Sequence, residues 1–136
     1  MATKVFLNLP VKDLEKSKAF FTGLGYSFNM QFTDEKAACL ILGENIFAML
    51  LVHGYFKTYT RKEICDAQTH TEVLIALDAP SKEALRSTID TAVSLGGTLY
   101  AEPQDHGWMY QHSFADLDGH QWEFMYMDET LLPNME

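Results

Sequence analysis

The sequence predicts an α+β protein of two paired βαβββ modules, their strands forming a curved sheet that encloses a cleft. Three observations lead there. Hydrophobic periodicity reads as strand–helix–strand–strand–strand, and that order occurs twice. The tracts that end the two helices match, Leu24-Gly25-Tyr26 against Leu95-Gly96-Gly97. One helix covers only one face of a four-stranded sheet, so each module needs something on its other face, and the second module is the nearest partner. The expected boundaries are about 4–56 for the first module, 57–69 for a connection and 70–128 for the second, within one domain spanning 1–136. The alternative is two unrelated α+β halves.

Each element has a local reason. Between Lys4 and Val11, Val5, Leu7, Leu9 and Val11 alternate with Phe6, Asn8 and Pro10, the period of a strand with one apolar and one mixed face. Asp13 offers an N-cap to a helix carrying Leu14, Phe20, Phe21 and Leu24, which Gly23 and Gly25 stop. Tyr26–Phe32, Ala37–Leu42 and Ile46–Val52 read as strands separated by the polar turns Thr33-Asp34-Glu35-Lys36 and Gly43-Glu44-Asn45. In the second module Glu72–Leu77 is the opening strand. Ser81 caps a helix with the stripe Leu85, Ile89, Ala92 and Val93. Thr98–Ala101, Tyr110–Ala115 and Gln121–Met127 follow as strands, the last two joined by the Asp116-Leu117-Asp118-Gly119 turn.

Composition narrows the function classes. The 136 residues are 47% hydrophobic and 12% aromatic, enough for a packed core. Ten Lys and Arg against nineteen Asp and Glu give a net charge of −9, which disfavours nucleic acid and anionic lipid as partners. The charge is uneven. Residues 1–68 carry eight basic and seven acidic groups, net +1, and residues 69–136 carry two and twelve, net −10. That asymmetry suits docking of unlike halves within or between chains. Two cysteines without C-x-x-C spacing point to no disulfide framework and to a reducing compartment. With no apolar run of membrane-spanning length and no secretory h-region, the expected location is cytoplasmic, with no membrane partner.

Two tracts carry a resemblance. Phe6-Leu7-Asn8-Leu9-Pro10-Val11-Lys12-Asp13-Leu14-Glu15-Lys16-Ser17, with Phe20-Phe21 and Leu24-Gly25-Tyr26, resembles the opening module of the vicinal oxygen chelate superfamily, which contains glyoxalase I, bleomycin-resistance proteins and extradiol dioxygenases. Phe114 through Phe124, with Asp116-Leu117-Asp118-Gly119 and Glu123, resembles its closing hairpin, with Leu117 where Pro is common. Phe47-Ala48-Met49-Leu50-Leu51 and Glu102-Pro103-Gln104-Asp105-His106-Gly107-Trp108-Met109-Tyr110 are similar to the branch labelled predicted lactoylglutathione lyase, or glyoxalase-like. The resemblance spans about residues 4–128 and specifies a fold rather than a reaction.

It also implies where a divalent metal would bind: one ligand on the first and last strand of each module. The matching positions here are Phe6, Met49, Glu72 and Glu123. Neither Phe6 nor Met49 is a hard ligand, so two of four positions are kept. The resulting expectation is a cleft with no resident cofactor that holds a small, partly apolar ligand. Glu123 and Glu72 are its candidate catalytic acid–base pair, and Phe6, Asn8, Met49, Trp108, Tyr110 and His112 its lining. Two alternatives stay open. One is a divalent-metal lyase of the glyoxalase I type holding its cation on Glu72 and Glu123. The other is a non-catalytic interaction module with a filled cleft. The resemblance further implies a homodimer.

Overall fold

The computed structural model describes residues 1–131. The chain divides into two compact units, Met1–Cys65 and Asp66–Glu136. In the first, β1 (Val5–Val11), α1 (Leu14–Gly23), β2 (Ser27–Asn29), β3 (Ala37–Gly43) and β4 (Ile46–Val52) build a sheet of order β1-β4-β3-β2. A short α2 (His53–Phe56) and a 3-10 turn (Lys57–Tyr59) follow. In the second, β5 (Leu74–Asp78), α3 (Lys82–Ser94), β6 (Gln104–Asp105), β7 (Met109–Ala115) and β8 (Gln121–Met127) build a sheet of order β5-β8-β7-β6. In both, the first strand runs parallel to the last and the others pair antiparallel. The predicted α+β class and the repeated topology are what the structure shows.

The helices form where local chemistry places them. Asp13 Oδ1 accepts from Lys16 N at 3.1 Å, and Ser81 Oγ accepts from Ala84 N at 3.0 Å. Both helices end the same way, with Leu24 and Leu95 as C-caps, followed by Gly25 at φ +101° and Gly96 at φ +105°. Each helix buries its stripe on one face of its own sheet. In the first unit Leu14, Phe20 and Phe21 are buried where α1 packs on β3 and β4, whose Ala38, Leu40, Ala48 and Leu50 are fully buried. In the second, Leu85, Ile89 and Ala92 meet Phe114, Trp122 and Phe124. Each large side chain so buried stabilises its unit by roughly 1.5–3 kcal/mol.

Three elements depart from the sequence reading. The second strand stops at Asn29, because the Asn29 side chain accepts from Gln31 N and turns the chain into a 3-10 turn over Met30–Phe32. Thr98–Ala101 is not a strand. Thr98 makes one isolated bridge to Ala115, and the edge strand is the later pair Gln104–Asp105 beyond Pro103, which has no N–H to donate. The opening strand of the second unit starts at Leu74 rather than Glu72, since the partner ladder begins at Gln121, opposite Leu74. Gln121 follows the Asp-Gly turn. There Gly119 has φ +91°, and a Cβ on it would lie 2.6 Å from the Ala67 carbonyl oxygen.

Candidate functional site

With α1 on one side of the first sheet, the opposite face carries Phe6, Asn8, Phe47, Met49 and Leu51. Strand parity and register put these side by side: Phe6 pairs with Phe47, and Asn8 with Met49. The Phe6 and Phe47 rings stack at 5.0 Å, and Phe6 stays 53% exposed, so this face is not filled by its own sheet. Beside the stack lies a cavity of about 450 Å³, lined by Asn8, Ala37, Met49 and Leu51 from the sheet, Gln31, Phe32, Thr33 and Asp34 from the β2–β3 segment, and Tyr55 and Tyr59 from the segment after β4.

The cavity walls are held by short-range hydrogen bonds. Thr33 Oγ1 donates to the Asn29 carbonyl at 2.8 Å and accepts from Cys39 N at 3.1 Å, pinning the 3-10 turn to β3. Asp34 Oδ1 accepts from Lys36 N and Ala37 N at 2.8 and 3.0 Å. Across the opening, the Tyr55 and Tyr59 rings meet edge-on at 5.4 Å and their hydroxyls hydrogen-bond at 2.9 Å. That bond, with some burial, pushes the Tyr59 hydroxyl above its ordinary value. Of the lining, Asn8, Met49 and Leu51 were legible from strand parity. Gln31, Phe32, Thr33, Asp34, Tyr55 and Tyr59 were not. Their signals were the Asn29-x-Gln31 turn chemistry and two tyrosines four apart, the spacing of one helical turn.

The second unit also has a helix-free face. Trp122 and Phe124 are buried beneath α3, which leaves Gln121, Glu123 and Met125 on the other side of β8. Glu123 lies opposite Ser113 and Ala76 in the ladders. Its Oε2 accepts from Gln111 Nε2 at 3.1 Å. Gln111 is therefore the donor that answers this half-buried carboxylate. Burial pushes the Tyr100 hydroxyl up, with Ser113 opposing and the Glu123 charge adding to the rise. Thr71 Oγ1 donates to Gln121 Oε1 at 2.5 Å along the same strand end.

Four expected site residues do not join that face. Tyr110 and His112 alternate with Gln111 and so lie with Phe114 on the α3 side of β7. Lys82 and Arg86 of α3 sit over the Tyr110 ring at 4.8 and 5.2 Å, leaving Tyr110 7% exposed. His112 Nδ1 is buried with no hydrogen-bond partner, and burial holds its imidazole below the ordinary value against the opposing pull of Glu102 and Asp90. Both are packing residues under a helix rather than lining of a helix-free face. Glu72 is exposed in the bend ahead of β5 and is not opposite Glu123, whose partner in β5 is Ala76. Trp108 is half-buried in the bend before β7, and its carbonyl accepts from Asp128 N at 2.8 Å.

The donors do not suit a divalent cation. At the two positions of the first unit, Phe6 is committed to a ring stack and Met49 is a thioether, a soft donor. In the second, Glu123 is held by an amide and Glu72 lies outside the strand. No group of three or more His, Cys, Asp or Glu is placed to hold a metal among the described residues.

Two units with strand order first–last–third–second, each with one helix-covered and one helix-free face, have the glyoxalase/bleomycin-resistance fold. The comparisons agree. Residues 3–43 match the family model described as bleomycin resistance protein-like N-terminal. A hypothetical protein from S. aureus superposes with a TM-score of 0.78 at 27% identity, covering 93% of this chain and 95% of that one. A glyoxalase/bleomycin resistance protein/dioxygenase family enzyme from Burkholderia phytofirmans PsJN gives 0.77 at 16% identity, covering 90% and 97%. A genomically encoded fosfomycin resistance protein from Listeria monocytogenes gives 0.68 at 20% identity, covering 99% and 97%. Among curated proteins no relative matches the sequence. No helix among the described residues is long and apolar enough to cross a membrane.

Proposed function

We propose that this chain binds a small, partly apolar molecule in the cavity of its first unit, without a resident divalent metal. The observation that supports this most is the cavity itself. Its volume of about 450 Å³ lies within the usual range for small-molecule sites, and its wall mixes rings and aliphatic groups with a few polar anchors. On the second unit, Glu123 held by Gln111 is the polar anchor of the open face, an acceptor for a ligand's donor rather than a metal ligand. The reading of a metal-dependent lyase is disfavoured by the donor set at Phe6 and Met49.

The test is a fragment screen followed by amide chemical shifts. Binding should move the signals of Asn8, Gln31 and Met49. Asn8→Trp, which places an indole at the cavity floor from an exposed position, should abolish that binding while leaving the fold intact. Fragments that bind only elsewhere, or binding indifferent to Asn8→Trp, would overturn the assignment.

A further inference from the structure

We infer that the ligand of this cavity is an organic cation, a protonated or quaternary amine carried on an aromatic or alkyl body. The inference rests on the reading of the cavity as a binding site and adds its charge preference. Asp34 is the one charged residue among those lining the cavity. Its Oδ1 is taken by the backbone hydrogens of Lys36 and Ala37, which orients the carboxylate and leaves Oδ2 for an incoming donor or cation.

The rest of the wall fits the same chemistry. Phe32, Tyr55 and Tyr59 contribute three rings. The Tyr55 and Tyr59 rings are crossed at 78°. Ring faces carry negative potential and attract a cation seated within about 6 Å. Asn8 and Gln31 add amide oxygens, which accept from an ammonium N–H.

The alternatives are less well served. An anionic ligand would meet Asp34 with no cation in the lining to offset it. A neutral one would partly desolvate that carboxylate without supplying a counter-charge.

The experiment titrates the full chain with four probes of similar size, followed by amide shifts of the cavity wall: benzyltrimethylammonium, benzylamine, benzyl alcohol and phenylacetate. Benzyltrimethylammonium should bind about tenfold more tightly than benzyl alcohol, with phenylacetate weaker than both. Benzylamine binding as tightly as the quaternary probe would mean that charge alone is read. Tighter binding of benzylamine would add an N–H contact to Asp34. Either result supports the inference.

Asp34→Asn keeps an oxygen for the two backbone hydrogens. It should bring the cation's affinity down about tenfold, to that of benzyl alcohol, and leave benzyl alcohol unchanged. Glu35→Gln, one residue away, should change neither by more than about twofold, because Glu35 is no part of the cavity wall. Equal affinity for cation and alcohol, or no effect of Asp34→Asn, would overturn the charge preference while the cavity reading stands. If none of the probes moves the cavity wall, both fall together.

Discussion

Asp116 is buried at 6% exposure, and its carboxylate closes three hydrogen bonds. Oδ1 accepts from Asp118 N at 2.9 Å and His120 N at 3.0 Å, and Oδ2 accepts from the Trp122 indole N–H at 2.9 Å. Trp122 itself is 1% exposed. Asp116→Ala therefore strands an indole donor in the core, at a cost of about 1–3 kcal/mol. It also releases two turn amides that water partly recovers, for roughly 1 kcal/mol more. The sum is about 3 kcal/mol, which in a unit of this size lowers its melting temperature by more than about 10 °C.

Asp116→Asn keeps the acceptor for the two amides but sets an NH₂ against the indole N–H or forces a flip, so it should cost less than the alanine variant. The pH dependence has a definite sign. Burial raises the Asp116 carboxyl above its ordinary 3.8, more than the nearby His120 charge and the Trp122 bond lower it. A raised carboxyl binds its proton more tightly folded than unfolded. Its contribution is thus full below 3.8 and is lost as pH rises through the folded value. The stability gap between the native chain and Asp116→Asn should shrink over that rise. Urea unfolding followed by tryptophan fluorescence, at several pH values, reads both effects. An alanine variant within about 0.5 kcal/mol of the native protein would refute the reasoning.

Further expectations follow from other residues. Glu123→Gln should change stability by less than about 1 kcal/mol, since the amide still offers an oxygen to Gln111. Elemental analysis should find no stoichiometric Ni, Zn, Mn or Fe, and about one per chain, lost on Glu123→Ala, would reverse that reading. His112, its imidazole lowered by burial, stabilises the fold above its ordinary value of 6.5, and that contribution is lost as pH falls through the folded value. His112→Phe should therefore flatten acid destabilisation in that range, and an unchanged acid limb in thermal melts would count against it. We further propose a homodimer, in keeping with the resemblance and the uneven charge. Light scattering should give twice 15.5 kDa, and a monomer mass across a wide concentration range would refute it.

What the sequence by itself determined is local in origin. Caps at Asp13 and Ser81, stops at Gly25 and Gly96, and the Asp-Gly turn before Gln121 depend on side chains within a few residues, so they can be read from the chain. Strand parity likewise sorted Asn8, Met49 and Leu51 from Leu9, Ala48 and Leu50, and Glu123 from Trp122 and Phe124. Alternation alone does not say which face a helix covers. Tyr110, His112 and Phe114 share one face by alternation, yet only the packing of α3 makes that face its floor. Strand ends were also decided at a distance. Leu74 begins its strand because Gln121 begins the partner, and Glu72 is left outside. The cavity is tertiary throughout. Asp34 and the Tyr55–Tyr59 pair come from two segments that carry no periodic signal, and only the closing of β3 and β4 against each other brings them to one wall.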